Sequence, residues 1–140
     1  MRRLTVWGAA LLLGSGIAPA QASAPGPVGY WIGPHRDVAV RTAPCGQALC
    51  GWVAWASDSA RAHAAGGGTA RLIGTELLHD YVADGDHGWS GTLFVPDLGR
   101  SFASHIEQAA PDRLEVRGCI LAGLVCRSQV WTRIDRLPGA

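Results

Sequence analysis

No lysine occurs in the 140 residues; all 12 basic side chains are arginines, set against 11 acidic residues. The arginines form no stripe, which excludes a nucleic-acid surface of the usual electrostatic kind. Catalytic signatures that spacing would reveal are also missing. There is no Gly-x-Ser-x-Gly elbow, no His-Glu-x-x-His, no phosphate loop and no dinucleotide fingerprint. The apolar run Leu4–Ile17 is shorter than the roughly 20 residues a membrane-spanning helix needs. No cysteine follows it directly, which excludes a lipid-modified amino-terminal cysteine.

That run sits behind the basic start Met1-Arg2-Arg3 and ahead of two small-x-small sites, Ala18-Pro19-Ala20 and Ala20-Gln21-Ala22. The pattern predicts a secretory signal peptide over residues 1–22, cleaved before Ser23. Removing 22 of 140 residues leaves 118, one domain by length, with 10 arginines against 11 acidic groups. Residues 23–27 read as a mobile leader and 28–136 as the folded domain. The expected location is periplasmic or secreted, with no membrane span in the mature chain. Disulfides are permitted there, and the cysteine count is even.

The chain is organised around Ala43–Trp55. Cys45 and Cys50 bracket Gly46-Gln47-Ala48, with alternating Val38, Val40 and Thr42 before them and Val53 and Trp55 after. This reads as a β-hairpin stapled at the mouth of its loop. Four cysteines allow three connectivities; Cys45–Cys50 and Cys119–Cys126 are favoured because each pair flanks a short turn. A zinc site is the rival reading of the first pair, but no second ligand pair completes it.

Short strands separated by turn residues are expected near Val28–Ile32, Val38–Thr42, Gly51–Ala56, Glu76–Tyr81, Trp89–Val95, Ser101–Glu107, Arg113–Cys119 and Arg127–Ile134. Eight such strands in hairpin order favour an all-β antiparallel barrel or sandwich. One long loop, residues 57–70, breaks the rhythm. Ser59–Ala65 suits a helical turn or two capped by Asp58, ended by Gly66-Gly67-Gly68. A surface insertion is the plainer reading of this loop, a lid the functional one.

Alternation assigns faces. Leu114, Val116 and Gly118 share one side of their strand; Phe102, Ser104 and Ile106 share a side opposite His105 and Glu107. Val53 and Trp55 share a face, which puts Trp52 outside as a possible contact surface. His79, Asp80, Asp84, Asp86 and His87 crowd one hairpin but lack the twelve-residue calcium pattern. His35 lies in a polar turn. His105 and Glu107 face outward, away from any cleft. No metal, cofactor or catalytic residue is assigned.

An ordered set of strings resembles a known family. These are Gly29-x-Trp31; Cys45-x4-Cys50-Gly51-x-Val53-x-Trp55; Arg71-Leu72-Ile73-Gly74; Trp89-x-Gly91-x-Leu93-Phe94-x-Pro96-x-x-Gly99-x-x-Phe102; Leu114-x-Val116-x-Gly118-Cys119; and Cys126-x-Ser128-Gln129-x-Trp131-x-Arg133. In order and spacing they are similar to domain of unknown function 2147, a group of small exported bacterial proteins. Three features depart from that group: Val95 stands where it has an acidic residue, Phe102 where it has tyrosine, and its Asn-Pro in the long loop is missing. The resemblance implies an eight-stranded, up-and-down, lipocalin-like barrel and no reaction. It also implies that Trp31 packs beneath Arg133 at the closed end.

Eight strands leave room for side chains or one small ligand. The candidate lining is Val40, Val53, Trp55, Leu93, Phe102, Ser104 and Val116, with Trp31, Trp89 and Trp131 as further aromatics. The expected function is a non-enzymatic module binding a small apolar molecule. The alternative is an envelope interaction protein with a filled barrel, and a hydrolase is the weakest of the three.

Overall fold

The computed structural model describes residues 14–18 and 26–139. Most of the expected signal peptide, its cleavage site and most of the leader lie outside the described residues.

Eight strands follow one another: β1 (Gly29–Ile32), β2 (Val38–Cys45), β3 (Ala48–Ala56), β4 (Glu76–Ala83), β5 (Gly88–Val95), β6 (Arg100–Ala110), β7 (Arg113–Ile120) and β8 (Val125–Ile134). Each pairs antiparallel with the next, and β8 returns to β1 to close an up-and-down barrel. Most strands run longer than the sequence suggests, because pairing continues into the turns. Gly46-Gln47 alone joins β2 to β3, with Gly46 in the left-handed conformation such tight hairpins require.

Both local disulfides form. Cys119 and Cys126 are direct cross-strand partners, with Cα atoms 4.1 Å apart. Cys45 pairs with Ala48 and Cys50 with Ala43, so the first bridge crosses its hairpin diagonally over 5.7 Å.

The core follows the alternation. On β7 the buried residues are Leu114 and Val116, and on β6 they are Ser104 and Ile106. Bulges change the period elsewhere. On β4 the register shifts between His79 and Val82, with Asp80 left-handed, and both Leu78 and Tyr81 end fully buried. Gly91 lies beneath the Tyr81 ring; a Cβ there would come within 2.6 Å of it and 2.7 Å of the His79 carbonyl.

The long loop contains α1 (Asp58–Gly66), capped by Ser57 rather than Asp58: the Ser57 hydroxyl accepts from the Ala60 N–H at 3.1 Å. It is not a surface insertion. Ala60 and Ala64 are buried within the main core cluster. Beyond it, Gly67 packs on the Pro96-Asp97 backbone, where a Cβ would clash.

Candidate functional site

One end of the barrel is closed by Trp31. Its ring is fully buried, and its indole N–H donates to the Pro27 carbonyl and the Thr42 hydroxyl, each at 3.0 Å. The Arg133 guanidinium carbon lies 4.3 Å from the Trp31 ring centroid. Its three nitrogens donate to the carbonyls of Pro111, Val28 and Gly26 at 2.8, 2.8 and 2.6 Å. Gly29 makes this possible, since a Cβ there would overlap the guanidinium. Thr42 completes the plug: only 1% exposed, it also accepts the Gly29 N–H at 3.1 Å. Alternation places Thr42 inside but gives no hint of this role.

The opposite end is open. A cavity of about 990 Å³ runs into the barrel, walled by Val40, Leu77, Leu93, Phe102, Val116 and Trp131. Its rim carries Pro34 and His35 from the β1–β2 turn, Gly66 and Gly67 from the end of α1, and Leu98 from the β5–β6 turn. Ile120 and Val125 border it from the β7–β8 hairpin. The opening follows from β1 being four residues long: it pairs with β8 only over Thr132–Ile134, leaving upstream β8 without a strand on that side.

Of the seven candidate lining residues, Val40, Leu93, Phe102 and Val116 line this cavity. Val53 and Ser104 are buried, Val53 within the main core cluster, and neither lies on the cavity wall. Trp55 does not point inward. A bulge pairs Val53 with Val40 but Trp55 with Ala39, its strand neighbour, so Trp55 shares the outer face with Ala39. Trp131 lines the cavity and Trp89 packs against the core. Trp52 faces outward, and the Arg41 guanidinium lies 4.9 Å from its ring centroid.

Two neighbouring hydroxyls are buried in the barrel wall. Among the described residues, Tyr81 Oη and Ser104 Oγ are buried without a hydrogen-bond partner of sound geometry. Burial pushes the Tyr81 phenol from the usual 10 up to about 12, with the neighbouring Ser104 hydroxyl acting weakly the other way. The neutral phenol therefore favours the folded state. That contribution is complete below pH 10 and is lost as pH rises from 10 towards 12. Tyr81→Phe, which removes an orphan hydroxyl, should alter stability by less than about 1 kcal/mol at neutral pH. It should also flatten the alkaline loss. Urea melts at pH 8 and pH 11 check both.

Two other clusters resemble sites by composition. Ser90, His105 and Asp84 meet on the outer wall: the Ser90 hydroxyl donates to Asp84 Oδ2 at 2.6 Å and lies 2.9 Å from His105 Nδ1. The same Nδ1 faces Asp84 at 3.6 Å, so the imidazole does not stand between hydroxyl and carboxylate as a relay requires. Cys45, Cys50 and Asp80 converge, but both sulfurs are in the disulfide. The acidic hairpin residues gather no further ligand set among the described residues. No helix of the described residues is long and apolar enough to cross a membrane.

Residues 29–133 match the family described as "Uncharacterized protein conserved in bacteria (DUF2147)". Among solved structures the chain is similar to protein HP1028 from the human pathogen Helicobacter pylori, described as belonging to the lipocalin family. The TM-score is 0.60 at 12% identity, covering 82% of this chain and 85% of that one, a likeness of fold. Comparison with curated proteins gave no match.

Proposed function

The chain belongs to that family of uncharacterized bacterial proteins, and from its lipocalin-like barrel we propose that it binds a small, largely apolar molecule in the open lumen. It performs no bond-making chemistry on that molecule. The observation that carries the reading is the lumen itself. Its volume of about 990 Å³ is at the upper end of the roughly 300–1,000 Å³ typical of ligand pockets, and its wall is mainly aliphatic and aromatic. A filled barrel serving only as an interaction scaffold fits poorly with that volume.

We place the protein outside the cytoplasm. Its two disulfides suggest a non-cytoplasmic location, and the amino-terminal pattern points to export into the periplasm or medium. No cofactor is required.

Native mass spectrometry of the protein purified from its own cells tests the reading. One small organic adduct per chain, released unchanged on denaturation, is the expected result. A protein at bare mass that also takes up no added apolar probe would overturn it.

A further inference from the structure

Midway along the inner face of β8, between Val125 and Trp131, two polar residues interrupt the apolar lining. A half-buried strand should turn its apolar residues inward. Here the inward positions opposite Gly118 and Val116 are Arg127 and Gln129, while Val130 on the outer face is 48% exposed. Arg127 and Gln129 both line the cavity, beside the stretch of β8 that β1 leaves uncovered. Among the described residues the Arg127 side chain, exposed at the open side of the lumen, takes part in no ion pair or hydrogen bond. In the same cross-strand row, Ser104 faces Gly118 and Gly118 faces Arg127. Between them Gly118 leaves bare backbone: an added Cβ would meet only Leu93 Cδ2, at 3.7 Å.

Resting on the lumen as the binding site, we propose that the ligand is an amphiphile whose anionic head lies over Gly118, on Arg127, with its apolar chain against Leu93, Phe102 and Val116. The planar guanidinium suits a carboxylate or a phosphate, both of which it can grip with two parallel hydrogen bonds. The Asp37 and Asp97 carboxylates also border the cavity, and neither pairs with Arg127. These two carboxylates favour a cationic head, whereas Arg127 and a second lining guanidinium, Arg100, favour an anionic one; Arg127 is the one paired with Gly118, so the head group is tested through it.

Fluorescence titration with cis-parinaric acid and with its methyl ester separates head from chain. The acid should bind at least tenfold more tightly than the ester, and added salt should narrow the gap. Arg127→Ala should remove most of the preference and Arg127→Lys restore part of it. Arg117→Ala, on the outer face of β7, should leave it intact. Gly118→Ala, whose methyl has room to fold, should weaken the acid severalfold by occupying the place of the head group. Competition by lysophosphatidic acid or by hexadecanoate then assigns phosphate or carboxylate. Equal binding of acid and ester, or equal losses for both in Arg127→Ala, would overturn the anionic head while leaving the apolar lumen in place. No binding of either probe would overturn both readings.

Discussion

Trp31→Ala should destabilise the barrel by about 3–5 kcal/mol, the usual range for removing a buried tryptophan. Trp31 is fully buried in the main core cluster, so the truncation opens a void at the closed end. It also removes the ring beneath Arg133, a contact worth about 0.5–2 kcal/mol, and leaves the buried Thr42 hydroxyl without its indole donor. Trp52→Ala is the matched control. It loses a half-exposed ring and the Arg41 contact on the outer face, and should cost roughly 0.5 kcal/mol. Urea melts of the two variants compare them. Equal losses would mean that the faces of β3 are wrongly assigned, and with them the inward position of Val53.

Opening both disulfides should lower stability by about 4 kcal/mol, roughly 2 kcal/mol for each short loop in the chain-entropy model. The bridges close sequence separations of 5 and 7 residues. The two losses should differ in kind. Leu121 and Ala122, in the turn that Cys119–Cys126 closes, both have positive φ, a conformation that costs non-glycine residues of the order of 1 kcal/mol. Without the bridge that turn can relax, and Ile120 and Val125 at the cavity rim move with it. Loss of Cys45–Cys50 lies outside that rim. Melts of a Cys45→Ala/Cys50→Ala pair, a Cys119→Ala/Cys126→Ala pair and the fourfold variant measure the sum. Apolar-probe affinity should fall only where the second bridge is gone. A fourfold variant as stable as the parent would show that the turns alone set the hairpins.

Where a strand keeps strict period two, its faces could be read directly from residue types. Leu114 and Val116 on β7 are the clearest case, and Phe102, Ser104 and Ile106 on β6 follow it. Where a bulge adds a residue, the reading slips. Nothing in Val53-Ala54-Trp55 announces the bulge that sends Trp55 to the outer face, because it is set by pairing with Ala39 and Val40 on another strand. The same blindness hid Tyr81, carried inward by the irregularity at Asp80. In α1, single-residue helix preferences could not show that Ala60 and Ala64 meet the core, since alanine suits an exposed helix equally well. Arg127 and Gln129 escaped notice for a different reason. Polar residues on a strand are read as outward, and only the register with Gly118 and Val116 turns them towards the lumen.

Methyl-resolved NMR during titration with dodecanol, a neutral probe, bears most directly on the lumen as the binding site. Resonances of Val40, Leu93 and Val116, which line the cavity, should shift together and saturate at one equivalent, while those of the exposed Ile73, Val82 and Val130 stay in place. Shifts confined to Ile73, Val82 or Val130, with the three lumen residues unmoved, would contradict the account.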